Sequence, residues 1–294
     1  MYRRLLLLLV AVAAIVSQQA QAQLLWKVTS PSSGKTSYLF GTHHVAPVTV
    51  LDSIAAFRPA FEQAEIIVGE MDMAQATSPA GQQTLALAGM APADSTLNRV
   101  LAPEQLDSLG TMLTRYVGQG IPLEAFYGVK PALVSTMIAM AQAQAAFPDF
   151  DPGKQLDSYI QQQAVAAGKK VEGFETVEQQ AAILFGSPIA EQAADLMKAI
   201  RLDDEAIEVS RRLASLYVKG DLDGILELMN DPSFGFSDAE ADRMLYARNE
   251  SWVKILASML PTASVLVVVG AGHLGGPRGL ISLLRSHGFD VTPL

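Results

Sequence analysis

An α/β fold is what the sequence predicts: a mixed, partly parallel sheet with flanking helices and one large helical insertion. Three observations carry that expectation. Short β-branched or apolar runs gather at the two ends of the chain, and a strand-helix-strand alternation follows the first of them. The stretch from about 78 to 242 is rich in Ala, Gln, Leu, Met and Glu, which favour helix, and nearly empty of strand-like segments.

The chain begins with Arg3 and Arg4, an uncharged apolar run from Leu5 to Val16, and the tripeptide Ala20-Gln21-Ala22. A basic start, an apolar run too short to span a bilayer and a small-x-small site predict a signal peptide over 1–22 that is cleaved. The remainder, 23–294, is then exported, periplasmic or extracellular, with no stable membrane span. No Cys occurs, so the fold has no disulfide and no lipid-modified Cys.

Leu24–Val28 and Ser37–Phe40 read as strands joined by the turn-rich Ser30-Pro31-Ser32-Ser33-Gly34. Asp52 reads as the N-cap of a helix through Glu62, with Ile54, Phe57 and Phe61 on one face. Glu65–Met71 fits a buried strand. Within the helical stretch, Pro131–Phe147 is interrupted by Ser135, Thr136, Gln142 and Gln144, which predicts a buried amphipathic helix and not a membrane span. Lys170–Phe174, ending at Glu175, is the one strand candidate there. Ala263–Val269 has the β-branched composition of a central strand. A helix over about 279–286 and a strand near Asp290–Pro293 complete the chain.

Formal net charge is −9, and two units more negative once Arg3 and Arg4 are lost with the leader. Such a surface disfavours nucleic acid and anionic lipid as partners. Half the residues are apolar and 17% are charged, which excludes a disordered chain.

The chemistry-bearing feature is a self-similarity. Tyr38-Leu39-Phe40-Gly41-Thr42-His43-His44 and Val267-Val268-Val269-Gly270-Ala271-Gly272-His273 each run an apolar strand into Gly-x-x-His, in a chain with four histidines. Glycine there permits a sharp turn of positive φ that carries the imidazole over the sheet edge, where ligands of parallel sheets bind. Glu70 ends a third strand and reaches the same edge if that strand is parallel to the other two. Two imidazoles and a carboxylate are the usual ligands of a catalytic divalent metal. Spacing favours His44 over His43 as the ligand, because adjacent side chains of an extended segment point opposite ways. His287, before Gly288 at a helix C-terminus, reads as structural. Glu175 is either a further carboxylate of the site or a charge at a helix N-terminus beside Thr176.

Leu25-Trp26-Lys27-Val28, Ser37 through His44, Glu70-Met71-Asp72, Gly173 through Gln180, Arg248-Asn249 and Val269 through Leu274 together resemble the TraB/GumN family, in order and over nearly the whole exported part. That family is grouped with the Tiki proteases and, more distantly, with erythromycin esterases and haem-binding ChaN-like lipoproteins. The resemblance marks His44, Glu70 and His273 as the core site and Arg248 as an accessory. It implies hydrolysis of a peptide, ester or other carbonyl-containing substrate, with a divalent ion (Mn, Co or Zn) on His44, Glu70 and His273 and Arg248 stabilising the oxyanion. His43, before the ligand, departs from the apolar residue usual in the family.

Three alternatives remain open from the sequence. A histidine oriented by Glu70 can act as general base without metal, or the same histidines can hold haem or another ligand without chemistry. Gly270-Ala271-Gly272-His273-Leu274-Gly275 also satisfies a dinucleotide fingerprint, but too little chain follows it to build the required sheet. Gly-x-Ser-x-Gly, His-Glu-x-x-His and Walker motifs are absent.

Overall fold

A computed structural model describes residues 24–233 and 235–294; the expected signal peptide over 1–22 lies outside the described residues. Six strands form one mixed sheet: β1 (Leu25–Thr29), β2 (Thr36–Thr42), β3 (Ile66–Met71), β4 (Lys170–Glu175), β5 (Val265–Gly270) and β6 (Asp290–Pro293). Their order is β4-β3-β5-β2-β1-β6. The first four in that order are mutually parallel, and β1 is antiparallel to β2 and β6.

The sequence explains this arrangement. In β5, Val265–Val269 is apolar at every position and buried throughout, as a strand covered on both faces must be. It therefore takes the centre of the parallel part, with β2 and β3 on either side. Leu39, Phe40, Ile67 and Val68 extend the same core. Registers place Thr42 beside Gly270, Gly69 beside Val268, and Met71 beside Glu175. All four parallel strands thus end at one sheet edge, and the chain departs to opposite sides of β5, the arrangement in which open α/β sheets bind ligands.

The longer helices are α1 (Phe57–Gln63), α2 (Pro79–Ala88), α3 (Pro103–Tyr116), α4 (Pro131–Ala146), α5 (Leu156–Ala166), α6 (Val177–Phe185), α7 (Ile189–Arg201), α8 (Asp203–Val218), α9 (Leu222–Met229), α10 (Ala247–Met259) and α11 (Leu280–Ser286). A second apolar cluster, separate from the sheet core, joins α3, α4 and α7 through Leu109, Met112, Ile138 and Leu196. Buried Asp203 accepts from Tyr116 Oη at 2.5 Å and Gln142 Nε2 at 2.7 Å and pairs with Arg115, so the start of α8 is tied to α3 and α4. Among the described residues no helix is long and apolar enough to cross a membrane.

Two sequence expectations are corrected. The helix expected from Asp52 begins only at Phe57, and Val48–Ser53 forms a 3-10 turn. Pro59 is the reason: it lacks an N–H and is tolerated in a first turn, whereas a start at Ser53 would put it inside the hydrogen-bonded ladder. The glycines of the two Gly-x-x-His turns do not adopt positive φ. Space is what requires them. A Cβ on Gly41 would stand 3.0 Å from Ala271 Cα and 2.9 Å from Leu274 Cδ1, and one on Gly270 would stand 3.3 Å from Glu70 Oε1.

Candidate active site

The residues at the parallel edge surround one buried cation. Arg248, on the buried face of α10, spends all five of its guanidinium N–H groups. Nε donates to Glu175 Oε1 at 2.7 Å, and Nη2 donates to Glu70 Oε2 at 2.7 Å and Glu175 Oε2 at 2.8 Å. Nη1 donates to the Met244 carbonyl at 2.8 Å and faces His273 Nε2 at 3.3 Å. The planar fork of arginine suits such two-oxygen pairing, which lysine does not reproduce. The guanidinium also lies 4.7 Å from the Trp252 ring.

Each carboxylate is fixed from more than one side. Glu175, the last residue of β4, accepts from Trp252 Nε1 at 3.1 Å and from Gln180 Nε2 at 2.7 Å. Glu70 Oε1 accepts from the Gly270 N–H at 2.8 Å, an approach that a Cβ on Gly270 would crowd. Burial works to raise the Glu70 pKa, but His273, Arg248, His44 and the Gly270 N–H outweigh it and hold the group at about 2. Glu70 is therefore ionised across the physiological range.

His273 follows β5 in a short 3-10 turn and is almost fully enclosed. Asn249 Nδ2 donates to the carbonyls of His273 and Arg278, so its Oδ1 is left to accept from His273 Nδ1 at 2.7 Å. That network assigns the proton to Nδ1 and leaves the Nε2 lone pair facing the site. Burial, aided by Arg248 and opposed by Glu70, lowers the imidazole to about 4, so it is neutral at pH 7. Nε2 stands 3.6 Å from Glu70 Oε1.

His44 and His43 point to different surroundings. His43 packs edge-on to Phe147 and against Tyr217, with ring centroids 5.2 and 5.5 Å away. Burial first, then His44, lowers it to about 4 against the opposing pull of Asp157. The His44 side chain is 61% exposed, and its Nδ1 lies 3.2 Å from Asp157 Oδ2. Asp157, reinforced by that hydrogen bond, raises His44 to about 9. His44 shares its electrostatic surroundings with Glu70, Arg248 and His273.

The structure thus places Glu70, Glu175, Arg248 and His273 in one hydrogen-bonded cluster, with His44 beside it at the solvent side. As the side chains stand, no three His, Asp or Glu groups among the described residues converge on a point that a metal ion could fill. Arg248 lies against both Glu70 and His273, and His44 is engaged by Asp157. The donor chemistry nevertheless suits an ion in part. Glu70 is ionised, and His273 is neutral and held at Nδ1 by Asn249, the arrangement that orients metal-ligating histidines. His44, held at Nδ1 by Asp157 and charged at neutral pH, would have to lose a proton first. The oxyanion role expected of Arg248 meets a constraint, because every N–H is already engaged. Only the 3.3 Å contact to His273 is weak enough to exchange.

Sequence reasoning gave no role to Asp157, Asn249, Gln180 or Trp252. Asn249 and Gln180 lie inside the stretches that carried the family resemblance. For α10 a signal existed: Arg248, Asn249, Trp252, Val253 and Leu256 form one buried face, with Glu250 and Lys254 off it. A buried helix face that includes Arg and Asn marks a polar network. Asp157 carried no comparable signal. His287 ends α11 with Nδ1 2.9 Å from the Leu283 carbonyl, away from the cluster's contacts.

Fold and site together define a class: a partly parallel α/β sheet whose strand ends bring two histidines and two glutamates around a buried arginine. The chain belongs to the TraB/PrgY/gumN family, which matches residues 24–293. Among curated proteins it is similar to metalloprotease TIKI2 of Danio rerio, 24% identical over 94% of this chain and 62% of that protein. It is likewise similar to metalloprotease TIKI1 of Danio rerio, 24% identical over 87% of this chain and 60% of the relative. TIKI1 of Xenopus tropicalis is 25% identical over 87% and 59%. The chain spans about 60% of the length of these relatives. No solved structure matches significantly.

Proposed function

We propose that the chain is an exported metal-dependent hydrolase, acting in the periplasm or outside the cell on a peptide or other amide bond, or on an ester. His44, Glu70 and His273 would hold the divalent ion, Mn, Co or Zn. The observation that carries this reading is the neutral imidazole of His273, gripped at Nδ1 with Nε2 left to the site, beside a glutamate kept ionised. His44 is held at Nδ1 by Asp157 and is required to release its proton on binding an ion. The printed name of the TIKI relatives, metalloprotease, supports the same class. Bound there, a divalent ion would supply water of near-neutral pKa and polarise the substrate carbonyl.

The chain's own residues set the conditions for that chemistry. Asn249 keeps the proton on the outer nitrogen of His273, so the inner one is a donor at neutral pH. Arg248 keeps Glu70 ionised and anchored, and Trp252, stacked on Phe174 at 4.9 Å, closes the inner wall against water. Exposed His44 stands on the solvent side of the cluster, the side from which a substrate carbonyl would approach.

A metal-free reading is favoured by one observation, that Arg248 already supplies a cation to Glu70. It is weaker on magnitude. A general base works best with a pKa near the operating pH, and Glu70 at about 2 and His273 at about 4 both lie far below it. The test is metal analysis of protein purified without an affinity tag, with turnover of peptide and ester libraries before chelation, after it, and after return of Mn, Co or Zn. Loss and recovery of turnover are expected. Turnover indifferent to chelation removes the metal, and a metal-free protein with no turnover removes the hydrolase.

A further inference from the structure

We infer that Asp157 is a positioning residue for His44, delivered by the helical segment between β3 and β5, and that α5 sets the placement of His44 relative to Glu70. The consequence for catalysis rests on the hydrolase reading; the positioning itself does not.

Asp157 lies in the first turn of α5, 113 residues along the chain from His44. Its two oxygens do different things. Oδ1 accepts from Thr42 Oγ1 at 2.8 Å, and Oδ2 meets His44 Nδ1 at 3.2 Å. Thr42 is the last residue of β2 and is buried, so the carboxylate is braced on the strand from which His44 departs. Its side chain is 14% exposed against 61% for the imidazole. An exposed imidazole on a loop has several rotamers open to it. A fixed acceptor at Nδ1 selects one and turns Nε2 away from α5.

The other end of the same helix face grips a second strand end, that of β3. Gln161, four residues on and therefore above Asp157 on the helix, donates from Nε2 to the Met71 carbonyl at 2.9 Å. It also accepts from the Met73 N–H at 2.8 Å. Met71 follows Glu70 directly. Leu156, Ile160 and Ala164 anchor α5 in the sheet core, so the two contacts are held by one rigid element. Through Asp157 on the β2 side and Gln161 on the β3 side, α5 bridges the ends of two strands that are not themselves adjacent.

The experiment compares wild type with Asp157→Ala and Thr42→Val, the latter removing the brace while keeping the carboxylate. The first readout is the hydrogen-bonded Nδ1–H resonance of His44 in ring-labelled protein, assigned by its loss in His44→Gln. The second is calorimetric affinity for Zn²⁺ alone, in which loss of an outer partner is expected to cost about 10–100-fold. Asp157→Ala should lose the resonance and weaken Zn²⁺ binding by that amount, with Thr42→Val shifted the same way by less. A folded Asp157→Ala that keeps both overturns the assignment. If that variant does not fold, an unchanged resonance in Thr42→Val overturns it instead. A wild type that neither turns over substrate nor binds metal sinks the hydrolase reading, while the resonance still decides the role of Asp157.

Discussion

Replacing Arg248 by Leu removes one cation from between two carboxylates that have little other contact with water. Glu70 and Glu175 retain 16% and 9% side-chain exposure, and the arginine itself 9%. Breaking a buried pair by removing one partner costs about 3–5 kcal/mol, mostly the penalty of the charge left behind. Here both carboxylates keep neutral donors, Gln180 and Trp252 on Glu175 and the Gly270 N–H on Glu70, so the lower half of that range is expected at pH 7. The deficit depends on pH with a definite sign. Removing Arg248 takes away one of the charges that hold the Glu70 pKa down against burial, so the variant's penalty is largest where Glu70 is ionised and fades as acid protonates it. Urea unfolding at neutral pH and near pH 4 measures both values. Arg248→Leu combined with Glu175→Gln should recover part of the loss, and Arg248→Lys should fall between, keeping charge but losing the fork. A loss under about 1 kcal/mol at pH 7, or one that acid leaves unchanged, refutes the claim that the arginine neutralises this cluster.

Asn249→Ala should free the His273 tautomer and weaken Zn²⁺ affinity by about 10–100-fold, read by calorimetry and by ring nitrogen shifts. Gly41→Ala drives a Cβ against the Ala271 backbone and should cost roughly 1–3 kcal/mol, read as a lowered urea midpoint. Stability should fall on both sides of near-neutral pH. His273 at about 4 and Glu70 at about 2 are both depressed, so their contributions stand above the unfolded values and are lost as pH drops through 6 towards 2. His44 at about 9 is raised, so its contribution stands below about 6.5 and is lost as pH rises through 9. Thermal midpoints across pH check this, and a curve flat from pH 4 to 9 contradicts it.

What the sequence revealed and what it concealed divide along physical lines. The strands were legible because burial on both faces forces continuous apolar runs, as in Val265–Val269, and because period and turn residues mark their ends. Glu70 and His273 were legible as strand-terminal polar residues after such runs. The start of α1 was misread because Asp52 is a good N-cap by type, while Pro59 was the stronger constraint. The glycines were noticed for the wrong reason: a missing Cβ at Gly41 and Gly270 admits a neighbour, a fact of tertiary packing that one segment does not display. Asp157 shows the limit most clearly. Its partners Thr42 and His44 lie more than a hundred residues away, and an Asp in the first turn of a helix is ordinary in any sequence.

Strand order explains why these residues, and not others, come together at the sheet edge. β3, β5 and β2 are consecutive in the sheet, and neighbouring strands lie about 4.8 Å apart, so side chains from the ends of β3 and β2 must reach across roughly 10 Å centred on β5. Glu70 does so with a long side chain that takes a hydrogen bond from the end of β5 itself. His44 sits two residues beyond β2, on chain that the sheet no longer constrains. The rigid part of the constellation is therefore Glu70, His273 and the Arg248 fork, all fixed by buried contacts, and the adjustable part is His44. On the proposed metal-binding reading, bringing three donors around an ion would require a shift of His44 and the exchange of one 3.3 Å guanidinium contact, with the strands left as they are. On that reading the control would lie in α5, whose Asp157 holds the imidazole that stands beyond the end of β2.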